Sequence, residues 1–230
     1  MSDPLRMLLA EARYPSGSPD HSRVVSAACA VGSVSDLASL RSFLHGRLWT
    51  LGAISAAAAA AVCARAGEAS APAALLRTVE AELDARLASP AVRRESRDRG
   101  GHVLSLAANC SRHPHLTTLA RASAGHSGRP HYPVVIGVIA ALAGCVPFDA
   151  AEAAAYESIT GPAFAAGSLL GLAGSTVSEL GIDLAPEVTR LARAAADWSD
   201  RPFSDLPAPG APALFYLSEE QPLRPDLARR

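Results

Sequence analysis

The sequence predicts an all-α protein: one helical domain of about eight to ten helices, followed by an extended, proline-rich C-terminal tail. Three observations predict it. Alanine supplies about a fifth of the 230 residues, and aromatic residues only 5%. That composition favours helix over strand. Apolar residues recur at steps of three and four, and no stretch alternates apolar and polar over six positions. Clusters of Gly, Pro and Ser punctuate the periodic stretches.

The elements follow in order. Leu5, Leu8 and Leu9 begin a short helix that stops at Pro15-Ser16-Gly17. Ser18-Pro19-Asp20 suits a helix start, with a capping hydroxyl, a first-turn proline and an acid at the positive dipole end. That helix carries Val24, Val25 and Ala28 and ends near Gly32. Ser33 or Ser35 then caps a long helix with the stripe Leu37, Leu40, Leu44, Leu48 and Leu51. It continues through Ala56–Ala61 to about Ala66, with a bend at Gly52. After a loop from Gly67 to Pro72, Leu75, Val79, Leu83 and Leu87 mark an amphipathic helix ending before Pro90. Residues 91–109 carry Val92, Val103, Leu104 and Leu106 among arginines, and His113-Pro114 breaks the chain. Leu116 to about Ala124 is a short helix. Val134–Val146 is apolar all round and is predicted to be the central helix. Asp149 opens a helix through Tyr156, Ala163–Val177 forms the next, and Leu184, Val188 and Leu191 place the last.

Residues 1–200 thereby form the domain and 201–230 the tail. Pro202, Pro207, Pro209, Pro212, Pro222 and Pro225 preclude regular helix over most of the tail. Its apolar Leu214-Phe215-Tyr216-Leu217 calls for a surface to dock on, either its own domain or a partner.

Charge narrows the function. Twenty-one basic residues oppose 22 acidic ones, a net −1, which argues against a general nucleic-acid binder. Every basic residue is arginine. With no lysine, neither a Schiff base nor a phosphate-binding P-loop lysine is available. Cys29, Cys63, Cys110 and Cys145 form no CxxC pair and suit a reducing compartment. The start Met-Ser-Asp-Pro-Leu-Arg shows no secretory pattern, so a cytoplasmic location is expected. Pro130–Phe148 and Ser158–Ser178 contain no charged residue. The first has too short an apolar core to span a bilayer, and the second holds Pro162 and several Gly, Ser and Thr. Both are expected as buried helices, with no membrane partner.

Five clusters are candidates for chemistry or binding. Cys110, His113, His115, His126 and His131 could ligate zinc or nickel, which makes a metal- or small-ligand-binding protein the alternative function. Their spacing matches no closed structural zinc site. Gly125-His126-Ser127-Gly128 lacks the spacing of a nucleophile elbow and reads as a turn. Glu80, Glu82 and Asp84 read as solvated helix surface. The segment Arg93-Arg94-Glu95-Ser96-Arg97-Asp98-Arg99-Gly100-Gly101 is the densest charge cluster. It suits either a salt-bridged surface helix or a protein-binding face presenting arginine forks. Gly167, Gly171 and Gly174 with nearby alanines suggest a smooth helix face, for packing within the fold or between two copies.

Taken together, these motifs resemble the F-type urease accessory proteins. Leu8 to Gly17, ending in Pro15-Ser16-Gly17, is similar to the family's opening, and His21-Ser22 to its His-Ser dipeptide. Arg93-x-x-Ser96-x-x-x-Gly100 resembles its Arg-x-x-Ser-x-x-x-Gly, and His131 through Gly137 its His-x(5)-Gly. Ala155-Tyr156 and the tail's Ala211-Pro212-Ala213-Leu214 follow in the family's order. The chain departs from the pattern at Arg23-Val24-Val25-Ser26, near Ser168 and Ala173-Gly174, and at Phe215. The resemblance implies an all-α homodimer that is not an enzyme and carries no cofactor or metal of its own. It also implies partners: the D/H-type accessory protein, the nickel-carrying G-type GTPase and apo-urease. On the same ground the expected partner-binding residues are Pro15, Gly17, His21, Ser22, Arg93, Ser96, Arg97, Gly100, His131, Gly137, Tyr156, Leu214 and Phe215.

Overall fold

The computed structural model describes residues 4–12, 22–66, 73–87, 89–123 and 128–208. Among them are ten α-helices and no strand, as the hydrophobic spacing predicts. They are α1 (Pro4–Ala12), α2 (Ser22–Ala30), α3 (Leu37–Arg47), α4 (Ala53–Ala66), α5 (Ala73–Arg86), α6 (Pro90–Ser111), α7 (Pro114–Ala122), α8 (Tyr132–Leu142), α9 (Pro147–Leu170) and α10 (Gly174–Asp197). Helices α4, α8 and α9 form the centre, α10 covers α4 and α9, and α6 packs on α8.

The alanine run explains the centre. Ala56–Ala61 are all buried in α4. Small side chains let α8 approach so closely that a Cβ at Gly137 would lie 2.7 Å from both Ala59 O and Val62 Cβ. Every α8 residue from Tyr132 to Ala140 is buried, which fits its unbroken apolar run. Val146 falls outside this helix: it is exposed, and its amide donates to Asp149 Oδ2 (3.0 Å) at the start of α9.

Four boundaries differ from expectation. The cap of α3 is Asp36, not Ser33 or Ser35: Asp36 Oδ1 accepts from Ser39 N (2.8 Å), and Ser39 Oγ accepts from Asp36 N (3.0 Å). The bend near Gly52 is a π-helical turn, Leu48–Gly52, joining α3 to α4. There α9 crosses so closely that a Cβ on Gly52 would sit 2.7 Å from Ser158 Oγ.

The third difference is α9, a single helix through Pro162 where two were expected. Proline at 162 frees the carbonyl four residues earlier, that of Ser158. Arg47 Nε donates to that carbonyl (2.8 Å), so the helix continues without an orphaned acceptor. The fourth follows from the third. Gly171 adopts φ 67° and ends α9, and Gly174 opens α10, which therefore owns Val177. The three glycines do not share one face. Gly167 alone makes a close approach, to the Val177 side chain within the same chain.

The run Leu37–Ala66 is long and apolar enough to cross a membrane, but 67% of its apolar window is buried within the fold, as in the core helix of a soluble protein. After α10, the short turn Phe203–Asp205 brings Phe203 and Leu206 into the core.

Candidate partner-binding site

The Arg93–Gly101 segment lies on α6, where Ser89 caps the helix and Pro90 occupies its first turn. The α6 face bearing Ser96 and Gly100 meets the start of α8. Gly100 is required there, since a Cβ would sit 2.8 Å from Tyr132 N and 2.9 Å from His131 C and would overlap Pro130 O.

That contact places His131, fully buried, at the hub of a polar cluster. Its amide donates to Glu80 Oε1 (2.9 Å), Nδ1 lies 3.0 Å from Ser96 Oγ, and Nε2 lies 3.1 Å from Asp84 Oδ1. Ser96 Oγ also accepts from Tyr132 N (3.3 Å). These partners dictate the proton positions. An ionised Asp84 only accepts, so Nε2 carries the hydrogen; Nδ1 then accepts from the Ser96 hydroxyl. Burial, aided by Arg97, pushes His131 down to about 4, so the neutral ring is the stable form near pH 7.

Arg97 closes the cluster. Its guanidinium donates to Glu80 Oε2 (3.0 Å), Asp84 Oδ2 (2.8 Å) and the Arg129 carbonyl (2.6 Å). Burial raises Glu80 to about 7 against the pull of the His131 amide and Arg97. Burial also tends to raise Asp84, but its bond to His131 and the charge of Arg97 outweigh this and hold it low.

Beneath lies a second, drier layer. Arg99 pairs with Glu157 and lies over the Tyr132 ring, 4.2 Å from its centre. Arg47 Nη2 lies 3.6 Å from Glu95 Oε1, both side chains less than a tenth exposed. Burial lowers both arginines. Each pair balances its charge, which is what makes burial tolerable.

The expected site residues divide accordingly. Ser96, Arg97, Gly100 and His131 come together at the α5–α6–α8 junction, and Gly137 lies six residues further along α8, against α4. Arg93 donates to the Leu87 carbonyl (2.6 Å), bracing the α5–α6 turn. Tyr156 stands apart on α9, its hydroxyl 3.4 Å from where a Gly181 Cβ would be. Ser22 opens α2. Pro15, Gly17, His21, Leu214 and Phe215 lie outside the described residues.

The alternative ligand set does not assemble. Among the described residues, no group of three or more His, Cys, Asp or Glu is placed to hold a metal ion. The His113 and His115 rings stack on each other, His113 Nδ1 accepting from His115 N (3.3 Å), whereas both ring nitrogens of His131 are engaged elsewhere. His126 lies outside the described residues.

Glu80 and Asp84 were expected in solvent. Asp84 is exposed and also pairs with His131 and Arg97, whereas the Glu80 side chain is largely buried against the same two residues. For two other charges the sequence carried a signal: Arg47 sits between the core positions Leu44 and Leu48, and Glu157 between Ala155 and Ile159. A charge inside an apolar stripe implies a buried partner.

The charged motif of this all-α body ties its own helices α5, α6 and α8 together. The model of the UreF family matches residues 34–179. The urease accessory protein UreF of a Mycobacterium species (strain JLS) is 37% identical over 191 residues, covering 83% of this chain and 84% of that protein. The UreF of Mycolicibacterium vanbaalenii is 34% identical over 219 residues, covering 94% and 95%. That of Mycobacterium tuberculosis is 34% identical over 198 residues, covering 84% and 87%. No solved structure matches the chain significantly. The chain belongs to the UreF family of urease accessory proteins.

Proposed function

We propose that this protein is a non-catalytic, cytoplasmic scaffold for assembly of the urease nickel centre. As a homodimer it binds the D/H-type accessory protein and then the nickel-carrying G-type GTPase, and the assembly docks on apo-urease. The observation that carries this reading is family membership across most of the chain. The absence of lysine supports it: nucleotide hydrolysis through a P-loop must come from the partner.

The α5–α6–α8 junction supports a division of labour. Ser96, Arg97, Gly100 and His131 hold α6 in place, Gly137 seats α8 against α4, and the half-exposed Arg93 and exposed Arg94 present the N-terminal half of α6 to a partner. Leu214 and Phe215 of the tail supply an apolar contact. Coexpression with the D/H-type and G-type proteins tests the reading, with a stable co-purifying complex expected. Elution of this chain alone, where those partners assemble with another family member, refutes it.

A further inference from the structure

Acid and base balance over the whole chain but not along it. From Arg99 to Phe148 there is no Asp or Glu. Two arginines of this stretch are matched by carboxylates outside it, Arg99 by Glu157 and Arg129 by Asp98. Arg112 and Arg121 are exposed, and among the described residues neither guanidinium has an ion-pair or hydrogen-bond partner.

Both belong to the hairpin of α6 and α7. Arg112 forms its corner. On α7, Leu116 is buried, while His115 and Arg121 fall on the exposed face. On α6, His102, Leu106 and Cys110 follow one another at steps of four, and all three are exposed. The hairpin therefore presents two guanidiniums, two imidazoles and an apolar spot, with no carboxylate of its own.

Arg112 carries a second observation. Its φ is 52°, and among the described residues every other positive φ belongs to a glycine: Gly32, Gly144 or Gly171. Glycine suits such a helix end, because it has no Cβ to strain the backbone. An exposed arginine there costs the fold strain and gives it no packing in return, which directs attention to what the side chain binds. The stretch does not suit nucleic acid, since no Phe, Trp or Tyr lies between Arg99 and Tyr132 to stack a base. Carboxylates match guanidinium forks, and an apolar residue beside them would cover Leu106.

We propose that the α6–α7 hairpin is a docking surface for an acidic segment of a partner protein, with Arg112 and Arg121 receiving its carboxylates and Leu106 an apolar side chain beside them. The surface is distinct from the Arg93–Arg94 end of α6. Cys110 lies about 24 Å along the helix axis from Arg94.

The test uses the full-length protein and a fluorescein-labelled peptide of repeated Glu-Glu-Leu units, with anisotropy as the readout. Wild type should bind the peptide at low salt and release it as salt rises. Arg112→Gly/Arg121→Gln should weaken binding by about tenfold or more, whereas Arg193→Gln, on the exposed face of α10, should change it by less than about twofold. Arg112→Gly alone relieves the left-handed backbone, so Tm should hold or rise while binding falls; a merely structural arginine would not give that combination. Bound peptide should slow alkylation of the exposed Cys110 and leave the half-buried Cys29 unaffected. Absence of binding by wild type, an equal loss in Arg193→Gln, or an unprotected Cys110 overturns the proposal. A single-stranded RNA oligonucleotide that protects Cys110 and binds more tightly than the peptide overturns the assignment to a protein partner.

Discussion

Gly100→Ala sets two forces against each other. In a helix interior, Gly→Ala should stabilise by about 1 kcal/mol through backbone entropy. At Gly100 the new Cβ would sit 2.8 Å from Tyr132 N and 2.9 Å from His131 C, with Pro130 O closer still. All three are backbone atoms at the start of α8, so no flexible side chain can yield. Relief requires α6 and α8 to separate by roughly 1 Å, an overpacking cost of about 1–3 kcal/mol. The same movement stretches the bonds from His131 N to Glu80 and from Tyr132 N to Ser96, at about 1 kcal/mol each. The steric terms win, for a net loss of about 2–4 kcal/mol. In a domain of this size that lowers Tm by roughly 5–12 °C. Gly46→Ala is the control, since a Cβ there meets nothing within 4 Å. It should raise Tm by about 2–3 °C from propensity alone. Urea and thermal unfolding followed by circular dichroism measure both. If Gly100→Ala stabilises as much as Gly46→Ala, the close α6–α8 contact does not exist.

Three further outcomes follow from the same contacts. Glu80, raised to about 7, contributes stability that is lost as pH rises from about 4.5 to 7, whereas His131, lowered to about 4, contributes stability lost as pH falls from about 6.5 to 4. Urea midpoints of Glu80→Gln should therefore climb between pH 4 and 6.5 and those of His131→Gln should fall between pH 4.5 and 7; parallel slopes would refute the assignment. Glu157→Gln leaves Arg47 and Arg99 buried with Glu95 as the remaining carboxylate and should cost about 3–5 kcal/mol, measured by urea unfolding at pH 7; a loss below 1 kcal/mol would show that Glu95 or water compensates Arg99. Arg93→Glu should weaken capture by the accessory partners while near-UV circular dichroism stays native and Tm falls by a few degrees, because the bond to the Leu87 carbonyl is lost as well; unaltered capture would confine Arg93 to bracing Leu87.

The candidate site was legible as a motif and illegible as a geometry. Arg93, Ser96, Gly100, His131 and Gly137 could be picked out by type and spacing. The contacts of His131 with Ser96, Asp84 and Glu80 join residues 35–51 positions apart, and no local pattern encodes them. Arg97 illustrates the limit. In the sequence it is one of several arginines on a charged helix, suited equally to solvent or a partner. In the fold its guanidinium joins two carboxylates and a carbonyl.

By itself the sequence determined the helical class, the alanine-lined centre, the buried α8 and most helix positions. These follow from short-range propensity and from periodicities of three to four residues, which act within one element. Only the tertiary structure decided what happens where elements cross. It carried α9 through Pro162 because Arg47, 111 residues away along the chain, reaches the carbonyl that proline frees. It turned the three late glycines from one helix face into a cap, a helix start and a packing contact. It kept His131 neutral, because burial and the charge of Arg97 outweigh the ring's intrinsic basicity and the pull of Asp84. A residue's neighbours along the chain set its local geometry, and its neighbours across the fold set its charge and its partners.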